Sequence, residues 1–487
     1  MKPTRIPVFL GLLAIPPTVA AQEPVHHDVI TQIKAEGLER SQVLETFGMY
    51  TNVIGPRLTA TPAFKQAADW SAEQLRSWGM SNVRLEAWPF GRGWTLEGLT
   101  LEMTSPRYFP LIGYPEAWTP STDGVLEGEP VYMGDKTADQ ISAMSLAGKI
   151  VLSEPPQPAF IKSDREQPLD NQEAVRIGAP RTIRNPGAVN GGELRNLLQE
   201  VGAGVMLRPN QGEHGTLFVL GRNSTPDEAV PVVILASEQY NMLVRAEQEG
   251  VAINLRVNVD AMYHEADTNG YNVIAEIPGT DPELKDEIVM VGAHLDSWHS
   301  ATGATDNADA SASVMEAMRI LQAIGVRPRR TIRMALWGGE EQGLHGSRNY
   351  VERHLLGDAN AEARENFNVY FNHDPGLGMI YGFYLEENEA VKPIFDAWLD
   401  PLMDIGARGN RMEKIGSTDH LAFTRQGLLG FNTLQDYTDY DVRTHHTNTD
   451  FYERLTEEEL QEGAIVLATF LYHAAMRDEK IPRDLTP

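Results

Sequence analysis

IVMVGAHLDS, residues 288–297, decides how the rest of the chain reads. It is an apolar run, interrupted only by Gly292 before its polar end, which suits a strand buried on both faces of a sheet. Its close is polar: His294 and, two positions on, Asp296. The same design recurs nearby. GATDNADAS (303–311) sets Asp306 in a glycine-containing loop ahead of a helical pattern, and IRMALWGGEE (332–341) is a second apolar run that ends in Glu340 and Glu341. Apolar strands that deliver imidazole and carboxylates at their carboxyl ends make a crevice for a hard, Lewis-acidic metal ion.

Outward from this stretch, strands and helices alternate. NVIAEI (272–277), EIVMVGAH (287–294), TIRMALW (331–337) and NVYFN (368–372) read as strands. Residues 310–324 carry Ala310, Val314, Ala317, Leu321 and Ile324 on one helical face, and Thr456 caps a last helix lined by Leu460, Ala464, Leu467, Leu471 and Ala475. This pattern predicts an α/β fold, a mostly parallel mixed sheet covered by helices on both faces. Gly376, Gly378 and Gly382 miss the spacing of a dinucleotide loop and read as a turn.

Earlier in the chain, residues 26–78 read as mainly helical. Pro62 fits the first turn of a helix that carries Phe64, Ala68, Ala72 and Leu75 and stops at Gly79. NVRLEAWPF (82–90) and LEGLTLEM (96–103) alternate as strands do. Between 115 and 260 the character changes to short strands, turns and two modest helices, with GKIVL (148–152) and VPVVIL (230–235) as buried strands. Residues 157–192, rich in Pro, Asn, Asp and Arg, read as surface loop. No His–carboxylate pairing suggests chemistry in this block. It reads as an inserted β-rich α+β accessory domain at 115–260, flanked by 22–114 and 261–487 of one catalytic domain.

With 487 residues the chain has ample core for two such units. Its net charge of −27 argues against nucleic acid and anionic membrane surfaces as partners. Residues 1–21 have the layout of a secretory signal peptide: Lys2 and Arg5, a short apolar run, then Val19-x-Ala21 ahead of a cut before Gln22. Pro16 and Pro17 break the apolar run, which speaks against a membrane anchor, and no later stretch is long and apolar enough to span a bilayer. The expected location is therefore periplasmic or secreted. The sequence has no Cys, so a metal site must be built from His, Asp and Glu.

Side chains two apart on a strand end leave on the same side, so His294 can bind a metal through one ring nitrogen while Asp296 holds the other. Asp306 can offer one oxygen to each of two ions. Of Glu340 and Glu341, pointing apart from a turn, one can bind metal while the other serves as a base. Asp374 closes another strand, with His373 a competitor that faces the other way. His446 lies in HHTNTD (445–450), where His445 competes and Asp450 is placed to orient the site. Taken one at a time, each motif is also what an ordinary turn or surface would show. Jointly, His294, Asp306, Glu341, Asp374 and His446 give two imidazoles and three carboxylates at the crevice of one sheet, a set that suits zinc, with cobalt or manganese as substitutes. There is no P-loop, no G-x-S-x-G elbow and no H-E-x-x-H.

AHLDSW, GATDN, WGGEEQGLHGS, NHDPG, STDH and HHTNTD, in this order, resemble the di-zinc exopeptidases of metallopeptidase family 28, which includes secreted aminopeptidases and enzymes of the plasma glutamate carboxypeptidase type. The inserted block is similar to a protease-associated domain. The resemblance implies two zinc ions per chain, with His294 and Glu341 on one, Asp374 and His446 on the other, and Asp306 as the bridge. It implies Glu340 as general base, Asp296 as the partner of His294, and peptide substrates. Ser417-Thr418-Asp419-His420 matches an element near the substrate pocket, with no role assigned. Asp309 departs from the smaller residues expected after Asn307. The resemblance leaves an aminopeptidase as the first expectation, with a carboxypeptidase or dipeptidase as the alternative. A single-zinc cyclase or a catalytically dead binding protein on this fold is disfavoured by the intact ligand set. Oligomeric state is not written in these motifs.

Overall fold

A computed structural model describes residues 23–157, 189, 191–212 and 214–483. Residues 1–21, expected to be a signal peptide, and most of the Pro-rich stretch at 157–192 lie outside the described residues. The frame is a seven-stranded sheet built from β1 (Ser81–Pro89), β2 (Asn269–Ile277), β3 (Ile288–His294), β4 (Thr331–Trp337), β5 (Phe367–Asn372), β6 (Leu377–Tyr384) and β7 (Gly430–Asp436). Their spatial order is β1-β2-β4-β3-β5-β7-β6. The four central strands, β4, β3, β5 and β7, run parallel. The edges are antiparallel: β2 on β4, β1 on β2, and β6 on β7.

Helices cover both faces, as the apolar strands require. On one face, Val289, Val291, Ala293, Ile332, Met334 and Leu336 pack under α1 (His27–Glu39), α2 (Pro62–Ser77), α3 (Asp309–Ala323) and α5 (Glu457–Met476). On the other, Met290, Ala335, Trp337 and Tyr370 meet Tyr350, Val351 and Leu355 of α4 (His345–Leu355) and Phe423. Each fully buried aliphatic stabilises by roughly 1.5–3 kcal/mol, so a strand packed on two faces gives the crevice a stiff floor. Every residue of α3 from Asp309 to Leu321 is buried. Thr456 caps α5 with a full capping box to Glu459, and three glutamates crowd the first turn, where the helix dipole favours them.

The glycine-rich stretch read as a turn is strand β6. Its pairing with β7 slips between Leu377 and Gly382, which is why strand periodicity is broken there. A Cβ on Gly382 would sit 2.4 Å from the Gly409 carbonyl oxygen, so a close chain approach accounts for that glycine. Strand β7 had no reading of its own from the sequence.

Two smaller sheets hold the intervening block. One orders Phe109–Pro110, Gly93–Ser105, Asn254–His264 and Leu126–Gly128; the other orders Gly113–Pro115, Val232–Leu235, Val205–Pro209, Ile150–Leu152 and Val131–Tyr132. They enclose their own apolar clusters. The first sheet joins Gly93–Ser105 to Asn254–His264 along its whole length, across the block expected at 115–260.

Candidate metal centre

The parallel strands end on one side of the sheet, and the chemistry-bearing residues gather there. β3 ends in His294, β4 leads through Gly338 and Gly339 into Glu340, β5 leads into Asp374, and β7 is followed by the loop that carries His446. The glycines at 338 and 339 have a steric cause. A Cβ on Gly338 would lie 2.5 Å from the Phe64 ring, and Gly339, at φ +68°, would push one to 2.6 Å from Trp88.

Asp306 is the hub. Its Oδ1 lies 3.3 Å from His294 Nε2, and its Oδ2 lies 3.4 Å from His446 Nε2. On the first side, Asp374 Oδ1 is 3.7 Å from His294 Nε2. On the other, Glu341 Oε2 is 2.8 Å from His446 Nε2. The five expected ligands thus converge, but the partition differs from the one the resemblance implied. His294 groups with Asp374, and Glu341 with His446. The cause is the turn after β4. Asp296 accepts the Glu340 N–H on Oδ1 at 3.1 Å and the Glu341 N–H on Oδ2 at 3.3 Å. This sets Glu340 Oε2 4.0 Å from His294 Nε2 and sends Glu341 across to His446.

Asp296 therefore serves His294 differently from the expectation. The Nδ1 of His294 donates to the Asp296 backbone carbonyl at 2.9 Å, which leaves Nε2 free toward the cluster. The carboxylate of Asp296 lies 3.7 Å from Nδ1 and holds the Glu340–Glu341 turn, with Thr59 donating to it at 3.2 Å. His373 stays out of the cluster. Its Nδ1 meets Thr433 Oγ1 at 3.0 Å, and burial pulls its pKa down to about 3. His445 lies close enough to Asp306 and His446 to form a further potential ligand group with them.

Several further residues support the cluster, and not all of them had a role legible in the sequence. Arg57 is wholly buried and donates to the carbonyls of Leu295, Tyr50, Gly55, Thr302 and Gly303, so it pins the loops after β3 and before Asp306. Burial lowers its pKa to about 10, which leaves it charged at neutral pH. Thr418, in the segment left without a role, donates to Asp374 Oδ2 at 2.6 Å and accepts from Asn372 at 2.8 Å. Asp450, which the sequence did flag, accepts the N–H groups of Thr305 and Asp306 at 2.7 and 3.2 Å. Arg57 sits in GPRLT, far from every motif; only the folded chain shows its partners.

The electrostatics test whether a cation fits. Asp296, Asp306, Asp309, Glu340, Asp374, Asp419 and Asp450 are buried, and the Glu341 side chain is only 2% exposed. Burial pushes the Glu340 and Glu341 carboxyls well above the usual range, and neighbouring carboxylates push the same way. Burial likewise lifts Asp419 and Asp450 to about 7. Burial works against a proton on His294, but the Asp374 charge and bonds to Asp296, Asp306 and Asp374 outweigh it. So many anions cannot share a water-poor site without compensating positive charge. Asp306 Oδ2 and Glu341 Oε1 are buried without a hydrogen-bond partner among the described residues. Two imidazole nitrogens and several free carboxylate oxygens are the donors a zinc-type cation takes. The residues fit the ion.

A buried His–carboxylate cluster at the strand ends of a helix-covered α/β sheet, beside a small open pocket lined by Trp298, Ala301, Glu341, His446 and Thr447, defines a metal-dependent hydrolase. Residues 272–471, which carry this cluster, match Peptidase family M28. Carboxypeptidase Q of Mus musculus is 24% identical over 93% of this chain and 90% of its own length. The fold is shared with the peptidase M28 precursor of Shewanella amazonensis, at 24% identity and a TM-score of 0.68 over 94% of this chain and 98% of that one. It is shared too with BSAP, a zinc aminopeptidase of Bacillus subtilis, at 21% identity and a TM-score of 0.60 over 90% and 95% of the two chains.

Proposed function

We propose that the protein is an exported di-zinc exopeptidase that releases residues from the free amino end of peptides. The observation that carries the two-ion reading is the placement of Asp306, one carboxylate oxygen toward His294 and the other toward His446. His294, Asp306 and Asp374 would hold one ion, and Asp306, Glu341 and His446 the other. Zinc held there supplies Lewis acidity toward a water and toward the scissile carbonyl.

The residues divide the remaining work. Glu340 lies beside the His294 side of the cluster but is grouped with neither ligand set, so its carboxylate is the base that takes the proton of the attacking water and returns it to the leaving amine. Asp296 fixes where that carboxylate stands by binding two consecutive backbone N–H groups. Thr418 and Asp450 hold Asp374 and the Asp306 loop in their ligating positions.

The choice of chain end rests on charge. The buried groups around the cluster are mostly carboxylates, and Arg57 is engaged by backbone carbonyls, so the setting favours an ammonium over a carboxylate. The near full-length likeness to carboxypeptidase Q favours a second reading, cleavage from the carboxyl end. Residues 1–21 would be removed on export, and the block between the two parts of the peptidase domain would be a protease-associated accessory domain. The test is hydrolysis of amino-acid p-nitroanilides beside N-blocked peptides, with and without chelator. Chelator-sensitive cleavage of free-amine substrates alone supports the aminopeptidase. Release of C-terminal residues from N-blocked peptides overturns it.

A further inference from the structure

The two imidazoles of the cluster are held in different ways. His294 ends a central strand, and its Nδ1 is anchored on the Asp296 carbonyl. His446 sits on a loop at φ +57°, in the left-handed region that costs a non-glycine residue energy unless its surroundings hold it there. Its Nδ1 is buried and has no hydrogen-bond partner among the described residues. The usual device for aiming a ligating imidazole, a bond to the second ring nitrogen, is missing at this residue.

Beside the His445 ring at 3.8 Å and the Glu341 carboxylate at 2.8 Å, part of what holds His446 comes from the intervening block. Val219 donates its N–H to the His446 carbonyl at 3.1 Å, and Asn448 donates its N–H to the Leu217 carbonyl at 3.2 Å. Leu217 N–H returns to Asn448 Oδ1 at 2.6 Å. Phe218 thereby faces Thr447 across an antiparallel bridge, and its ring lies 5.3 Å from the His446 ring. Trp298, at 6.1 Å, closes another side. Asn210, itself buried, accepts the Phe218 N–H at 2.8 Å and donates to the Thr216 carbonyl, which fixes this segment within its own block.

We infer that residues 217–219 are a positioning element for the metal centre. The Val219–His446 bond and the Phe218 ring hold the His446 imidazole in its ligating orientation. The position framed by Asp306, Glu341 and His446 then depends on the accessory block. The position framed by His294, Asp306 and Asp374 is built from the peptidase sheet and its loops and does not. This inference rests on the two-ion reading above.

The experiment titrates metal-free full-length protein with zinc against a chromophoric chelator and compares wild type, Phe218→Ala, Phe218→Tyr, Asn448→Ala and His446→Ala. Wild type should take two equivalents, and His446→Ala one. Phe218→Ala and Asn448→Ala should keep one equivalent at wild-type affinity and bind the other roughly 10–100-fold more weakly, with Phe218→Tyr restoring it. Unchanged affinities in both Ala variants overturn the inference. So does equal weakening of both equivalents, which would mark a general loss of stability. A single equivalent in wild type overturns the two-ion reading instead. The positioning role would then stand if Phe218→Ala weakened that one ion and fall if it did not.

Discussion

Glu340 and Glu341 are identical in chemistry and adjacent in the chain, yet their surroundings divide them. Asp296 ties both backbone N–H groups, and the two side chains diverge from that turn, one beside His294 and one against His446. Glu340→Gln should therefore keep its full zinc content by elemental analysis while losing roughly 10²–10⁴-fold in kcat, the usual worth of a positioned base. Asp306→Asn should behave in the opposite order and lose zinc first, because it weakens the one carboxylate that faces both imidazoles. A fully active Glu340→Gln enzyme would end the assignment. At this scale the sequence was informative about which residues assemble, since His294, Glu341 and Asp374 follow apolar strands, Asp306 lies in a glycine-bearing loop and His446 in a polar tandem-histidine motif. It was silent on how they pair. That depends on the turn Asp296 ties, and the long-range bonds that fix it leave no local pattern. Arg57 was invisible for the same reason, and Thr418 was noticed only as part of a segment without a role.

Strands β3, β4 and β5 were legible as short, nearly continuous apolar runs, and helices α3 and α5 because their apolar residues repeat at the helical period. β6 was misread because its glycines answer to a slipped register and a neighbouring chain rather than to a turn. One contact between these elements has a pH signature. Glu462 on α5 is buried, accepts the Ile380 N–H of β6 at 2.8 Å, and has its pKa pushed up to about 8 by burial. Since the folded-state pKa lies above the unfolded one, the native state holds a proton that the unfolded chain releases. Stability from this group is present at low pH and is lost as pH rises from about 4.5 through about 8. Glu462→Gln keeps an acceptor oxygen for Ile380 without the charge. The melting temperature of wild type should fall relative to this variant between about pH 5 and about pH 8.5. Parallel profiles for the two proteins would show that Glu462 does not titrate as placed.

For the molecule as a whole, the metal centre joins parts of the chain far apart in sequence, from β3 to the loop that carries His446, and it concentrates negative charge at their meeting point. Removing the cations should cost stability as well as activity. Ligand linkage gives about 2.7 kcal/mol when free zinc is a hundred times its dissociation constant. Dialysis against chelator should thus lower the melting temperature, and added zinc should restore both the melt and hydrolysis. Recovery of neither on adding zinc would mean that the ions are not part of the native equilibrium.

The layout of the main sheet bears also on how the chain is made. Strand β1 pairs with β2 along most of its length, yet residues 90–268 lie between them. During synthesis β1 leaves the ribosome long before its neighbour β2 exists, and the intervening block, with its own sheets and apolar clusters, can fold in the interval. The edge strand and the apolar faces of α1 and α2 must wait unpaired until the last half of the chain arrives. Closing so long a loop is slow, and an exposed strand edge is prone to foreign pairing. The price of a site shared between distant segments is a nascent chain that needs shielding while it waits.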